Sequence, residues 1–274
     1  MRTTLLPPLA IVTAMMLFAV GDNFVAEVSG DMSVWQFQAS RSVLILPFML
    51  IVMALVGQFA SIRVKRPWAV AGRCFFSISA LMLYFGAVPA VSVPLAAAGL
   101  FTSPIFVVIF SALFFGERVG IRRLIAMAIG FVGVCLVLEI ATVPLQPMML
   151  MPMLGGALYA LSVIWTRRYC QQESAGALAV WSMTTFLIYG AVGMTLTPWI
   201  GAALDGIEGT AFLSHPPAWP EPYALWVILG IGAGAGTGMV LLAWGYRSVE
   251  ATYAALFDYS FLVWGSLFAW LIHG

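Results

Sequence analysis

Apolar residues run along this chain in blocks of about 20, and most of the polar residues fall between the blocks. Nine blocks can be placed, at roughly 7–28, 34–57, 67–88, 91–115, 121–140, 147–166, 175–198, 223–245 and 250–272. At 1.5 Å per residue a 20-residue helix is about 30 Å long, the thickness of a bilayer's hydrocarbon core. The pattern predicts an all-α polytopic membrane protein whose backbone satisfies its polar groups within each helix. Its organising stretch is Val93–Ile140, two apolar runs joined by the hinge Gly116-Glu117-Arg118-Val119-Gly120 and followed by Arg122-Arg123. That is a helical hairpin with a basic turn. The connections are short except for Ile200–Pro222, which is rich in Gly, Pro and acids, lacks Lys and Arg, and reads as a loop outside the membrane.

Composition rules out the alternatives. Hydrophobic residues make up 62% of the chain and charged ones 8%, against about 25% charged in soluble domains. The net charge of +1 sits at helix ends and makes no basic face for nucleic acid. Cys74, Cys135 and Cys170 are widely spaced and read as packing residues. With His215 in a loop and His273 at the end of the chain, no metal site and no cofactor are expected. Neither a nucleophile–base constellation nor a phosphate loop is visible, so the chain does not read as an enzyme and no catalytic residue is assigned. The first apolar run has no small-residue cleavage signature and reads as a retained helix.

Charge also orients the spans. Every basic residue except Arg41 falls on one side once the spans alternate: Arg2, Arg63, Lys65, Arg66, Arg73, Arg118, Arg122, Arg123, Arg167, Arg168 and Arg247. The positive-inside rule then places the N-terminus in the cytoplasm. Asp31, Glu139, Asp205, Glu208 and Glu221 lie on the other side.

The chain repeats itself weakly. Laid without gaps on Val249–Gly274, Val93–Arg118 matches at Val93/Val249, Ala98/Ala254, Leu100/Leu256, Phe101/Phe257 and Val107/Val263. A five-span unit starts its second copy from the opposite side, which gives inverted repeats. The expected units are residues 1–142 (spans one to five) and 143–274 (spans six to nine). The fifth helix of the second unit has no counterpart.

Several blocks resemble the EamA branch of the drug/metabolite transporter superfamily. They are Arg41 near the start of the second span, Ser103-Pro104 through Gly116-Glu117-Arg118 into Gly130-Phe131-Val132-Gly133-Val134, Tyr159-Ala160-Leu161 to Thr166-Arg167-Arg168, and Phe257-Asp258-Tyr259. The resemblance implies ten helices in two inverted five-helix repeats, a central cavity and alternating access. Relatives continue into a tenth helix where this chain stops, and truncation is the favoured explanation. Among the family's roles, export of amino acids, including aromatic ones, is the leading expectation. Uptake of a cofactor-like metabolite such as S-adenosylmethionine or riboflavin is the alternative, and a non-transporting membrane scaffold is a third. The implied partners are a small-molecule substrate and the bilayer, with the protein a monomer or homodimer.

Ionisable groups inside the bilayer carry the most information, each costing about 2.5–3.5 kcal/mol at mid-helix. Asp22 and Arg41 lie at matched depth on neighbouring spans, which predicts a buried pair, structural or substrate-binding, with Asn23 beside it. Asp258 lies near the midplane on a stripe with Ala251, Ala254, Ala255, Gly265 and Ala269 and is flanked by Tyr253 and Tyr259. It locks helix packing or faces the cavity. Thr102 and Ser103, beside Pro104, and the polar-tipped Tyr84, Tyr159, Ser162, Trp165 and Trp244 complete the cavity candidates. Pro47, Pro94 and Pro104 should kink or interrupt helices. Gly230, Gly232, Gly234, Gly236 and Gly238 form two small-residue rows for close packing on both sides, and Trp68, Trp199 and Trp219 belong to the interfacial belt.

Overall fold

A computed structural model describes residues 6–115, 125, 129, 132, 147–248 and 257–273. The hinge at 116–120, nearly all of the predicted fifth span, Cys135 and Tyr253 lie outside the described residues. Within them the chain forms α1 (Leu6–Asn23), α2 (Val25–Val28), α3 (Val34–Leu55), α4 (Pro67–Val91), α5 (Val93–Leu100), α6 (Ser103–Phe115), α7 (Leu150–Tyr169), α8 (Ala175–Leu204), α9 (Ala211–Ser214), α10 (Pro222–Ser248) and α11 (Ser260–His273). Among the described residues, seven segments are long and apolar enough to cross a bilayer: Leu6–Val28, Val34–Leu55, Pro67–Val91, Val93–Phe114, Pro147–Tyr169, Ala175–Leu204 and Pro222–Leu242. The chain is an all-α, multi-pass membrane protein.

Local chemistry sets the helix starts. The Ser33 hydroxyl accepts from Gln36 N at 3.3 Å ahead of α3, and the Ser174 hydroxyl accepts from Ala177 N at 2.9 Å ahead of α8. Pro67 opens α4, where its missing N–H is no loss. Just upstream, the Glu173 carboxylate accepts from Lys65 N at 3.0 Å and Arg66 N at 2.8 Å, tying the two basic turns together.

Of the prolines expected to kink or interrupt helices, Pro94 and Pro104 do mark interruptions: each is the second residue of a new helix, and the fourth span is broken at Phe101–Thr102. Two expectations need correction. Pro47 lies inside a continuous α3, as Pro89 and Pro198 do in α4 and α8. The connection after the seventh span is shorter than expected because α8 runs to Leu204, and it is no simple outer loop. It carries α9, whose Phe212 and Leu213 are buried against the bundle, and Trp35 Nε1 donates to Leu213 O at 2.9 Å. The Gln36 amide clamps Ala218 from both sides, donating to its O at 2.5 Å and accepting from its N at 3.2 Å. Apolar side chains in a polar segment pull it back onto the bundle. We call this the acidic end and the opposite one the basic end.

Packing between the halves follows a rule. The principal contacts pair α1 with α10, α4 with α7, α3 with α8, α1 with α11, α7 with α5 and α6, α3 with α10, α4 with α8, and α5 with α11. Numbered as spans, these are 1·8 and 3·6, 2·7, 1·9 and 4·6, 2·8 and 3·7, and 4·9. Exchanging span n for span n+5 returns the same set.

Glycines permit the closest of these approaches. A Cβ on Gly190 of α8 would stand 2.7 Å from Ala39 Cβ of α3, and one on Gly193 would enter the Trp35 ring. Of the two expected rows in α10, one meets α3, through Gly232 against Leu44 and Gly236 against Phe48. The other touches α1 only through Gly238 against Phe18, and Gly230 and Gly234 face open space.

Candidate functional site

In α3 the polar residues Gln38, Arg41 and Ser42 are spaced i, i+3, i+4, which puts them on one helical face. That face turns inward. Gln38 is 0% exposed, Ser42 1% and Arg41 7%. The Arg41 guanidinium carbon lies 4.8 Å from the centre of the Phe85 ring on α4, 5.4 Å from that of Phe186 on α8 and 5.5 Å from that of Phe37 on α3. Three aromatic rings surround one cation, an attraction that strengthens when water is excluded. Phe37 continues the wall outward, its ring 6.4 Å from that of Phe212 in the segment folded over the acidic end.

Asp22 on α1 and Tyr84 on α4 stand beside this cage. The Tyr84 hydroxyl donates to Asp22 Oδ2 at 2.9 Å. Asp22 and Arg41 act on one another electrostatically, yet make no contact within the 4 Å of an ion pair. The expected buried pair is therefore corrected: Tyr84 hydrogen-bonds the carboxylate while rings hold the guanidinium. Four buried groups stay without a hydrogen-bond partner here, namely both amide atoms of Gln38, Arg41 Nε and Ser42 Oγ.

A second polar group lies toward the basic end. Arg73, read in sequence as a loop-side cation, is the seventh residue of α4, and its Nη1 donates to Ser182 Oγ and, at 3.3 Å, to Leu178 O of α8. Tyr159 on α7 lies within electrostatic reach of both Arg73 and the half-buried Asp258. The sequence reading had counted Arg73 only among the cations that orient the spans.

The remaining candidates are engaged in packing or stand at open faces. Asn23 Nδ2 donates to Ala19 O at 2.9 Å and Gly265 O at 3.2 Å, joining α1 to α11. Thr102 Oγ1 donates to Gly99 O at 2.6 Å, against the close approach of Gly156. Trp165 Nε1 donates to Ala69 O at 2.9 Å, within an aromatic group of Trp68, Phe76 and Tyr169. Ser162 is buried and Ser103 half-buried, while Trp244 and Tyr259 keep 47% of their surface accessible, Tyr259 stacked on Phe101. An apolar groove of ≈ 420 Å³ lies at the basic end between Phe76, Phe114, Ile164 and Trp165, apart from the Arg41 cage.

Sequence reasoning missed Gln38, Ser42 and the cage. The i, i+3, i+4 spacing of polar residues in an otherwise apolar run was the signal for the first two.

Comparison with known proteins bears on this arrangement. Residues 5–139, which hold Asp22, Gln38, Arg41, Ser42 and Tyr84, match the EamA-like transporter family, as the motif blocks had suggested. A riboflavin transporter of Rhizobium johnstonii is 27% identical over 215 residues, covering 78% of this chain and 65% of its own length. A riboflavin transporter of Vibrio cholerae is 26% identical over 208 residues, covering 74% and 62%. An uncharacterized transporter of Helicobacter pylori is 28% identical over 193 residues, covering 69% and 60%. The chain therefore spans less than two thirds of the length of these curated relatives. A solved crystal structure with 17% identity and a TM-score of 0.50 shares the fold, covering 97% of this chain and 98% of its own. The matched family is one of transporters, not enzymes.

Proposed function

We propose that this protein, whose residues 5–139 match the EamA-like transporter family, is a secondary transporter that moves a small planar metabolite of the cofactor class across its membrane. The observation that carries this reading is the Arg41 cage. Two of its rings, Phe37 and Phe85, come from the first half of the chain and the third, Phe186, from the second. Relative motion of the halves opens or closes it. Charged and aromatic groups buried where two halves meet are what a transporter needs at its midpoint, since each intramembrane charge is expensive unless it is used.

The halves are residues 1–142 and 143–274, read as inverted repeats, a reading supported by the span n to n+5 exchange in the packing. The N-terminus is cytoplasmic, as the basic loops argue, and the membrane is a plasma membrane, the bacterial inner membrane, a reading that the bacterial relatives support. A flavin-like substrate is favoured over the amino acids expected from the family at large, because two relatives bear the name riboflavin transporter. One observation supports the amino-acid reading: Asp22 and Arg41 offer opposite charges, suited to a zwitterion.

Reconstitution decides between them. Proteoliposomes loaded in parallel with radiolabelled riboflavin and with phenylalanine are expected to show protein-dependent riboflavin flux. Phenylalanine flux alone would install the amino-acid reading, and flux of neither above empty vesicles would contradict transport of both. A proton ionophore added to a positive assay tests coupling.

A further inference from the structure

We infer that Gln38, Arg41 and Ser42 form a hydrogen-bonding edge that reads the imide group, C=O/N–H/C=O, of a planar heterocycle. The inference rests on the transport reading above and names what the site recognises.

The argument begins from unmet hydrogen bonds. Gln38 Nε2 and Oε1, Arg41 Nε and Ser42 Oγ are all buried and partnerless, on three side chains of one helical face. A buried polar atom left unpaired is costly, and in a folded protein each one calls for a partner such as a ligand or water. The donor and acceptor types narrow the partner. Arg41 Nε–H donates, Gln38 Oε1 accepts, Gln38 Nε2–H donates, and the Ser42 hydroxyl does either. A donor–acceptor–donor row is complementary to acceptor–donor–acceptor, the pattern of an imide. A carboxylate would satisfy the donors and leave Gln38 Oε1 unpaired, and an ammonium group would do the reverse. The phenyl rings of Phe37, Phe85 and Phe186 around the guanidinium leave it an edge-on partner, and suit a flat ring lying alongside. Gln38 has no accessible surface, so a ligand reaches it when α3 parts from α8 and α10, the second-half helices packed on it.

The test measures binding to the purified full chain in detergent by quenching of flavin fluorescence, with riboflavin and its N3-methyl derivative, in which a methyl group replaces the imide hydrogen. The wild-type protein should bind the derivative about tenfold or more weakly than riboflavin. Gln38→Leu should bind both with the same weakened affinity. Its ligand-free unfolding midpoint should be no lower than wild type, because an apolar side chain of similar size removes two unmet polar atoms. Equal affinity of the wild type for both flavins, or discrimination retained in Gln38→Leu, would overturn the inference while leaving the transport reading in place. Uridine carries the same imide on another ring. Uridine binding abolished by Gln38→Leu, with riboflavin inactive, would keep the imide edge and remove the flavin. Binding without flux in proteoliposomes would keep the edge and remove transport, and no binding of either solute to the wild type would overturn the edge.

Discussion

Asp22 and Glu173 show two different uses of a hydrogen-bonded carboxylate. Tyr84→Phe takes from Asp22 the hydroxyl that bonds it at 2.9 Å, leaving a carboxylate in an apolar bundle with Arg41 near but not touching. We expect flux to fall severalfold and stability to drop by about 1–3 kcal/mol, read by uptake and by thermal unfolding of the same preparation. Glu173→Ala removes the acceptor for Lys65 N and Arg66 N at the basic end, far from the cage. It should lower stability by about 1 kcal/mol and leave flux close to wild type; a matching loss of flux would tie the basic turns to the transport cycle. At this scale the sequence is a partial guide. Asp22 and Arg41 stood out because charge in an apolar run is expensive wherever it points. Phe85 and Phe186 did not, since a phenyl that cages a cation has the same hydropathy as one that faces lipid. Asp22's partner was misread because a sequence shows that Tyr84 has a polar tip but not which group that hydroxyl meets.

Among the elements, the contrast between glycines of α8 and α10 yields a paired prediction. Gly193→Ala puts a methyl group into the Trp35 ring, where α3 and α8 lie closest, whereas Gly230→Ala meets open space. The first should lower the unfolding midpoint. The second should leave it unchanged or raise it, since alanine is favoured over glycine in a helix interior by up to about 1 kcal/mol. Equal effects would mean that the α3–α8 approach is looser than drawn. Helix existence was legible from the apolar runs, because a bilayer demands length and continuity and a sequence displays both. Helix ends were less so. The break at Phe101–Thr102 and the extension of α8 to Leu204 depend on backbone hydrogen bonding and packing, to which a hydropathy pattern is blind. Loop composition misled at 205–221 because two buried residues, Phe212 and Leu213, outweigh many polar neighbours.

For the molecule as a whole, the proposal is that two similar bundles rock about a buried polar site; the packing exchange of span n for span n+5 and the cage built from both halves support it. Five identities between 93–118 and 249–274 hinted at the repeat, but the contacts between spans carry it further than residue matching, since many apolar sequences make the same helix surface. Leu44 on α3 and Gly232 on α10 offer a direct handle. A Cβ on Gly232 would lie 3.5 Å from Leu44 Cβ, within the range for a disulfide. The decisive measurement is riboflavin flux through the double variant Leu44→Cys/Gly232→Cys, with Cys74, Cys135 and Cys170 replaced by alanine, before and after oxidation. Oxidation should stop flux and a reductant should restore it; undiminished flux through the cross-linked protein would contradict movement of the halves about this site.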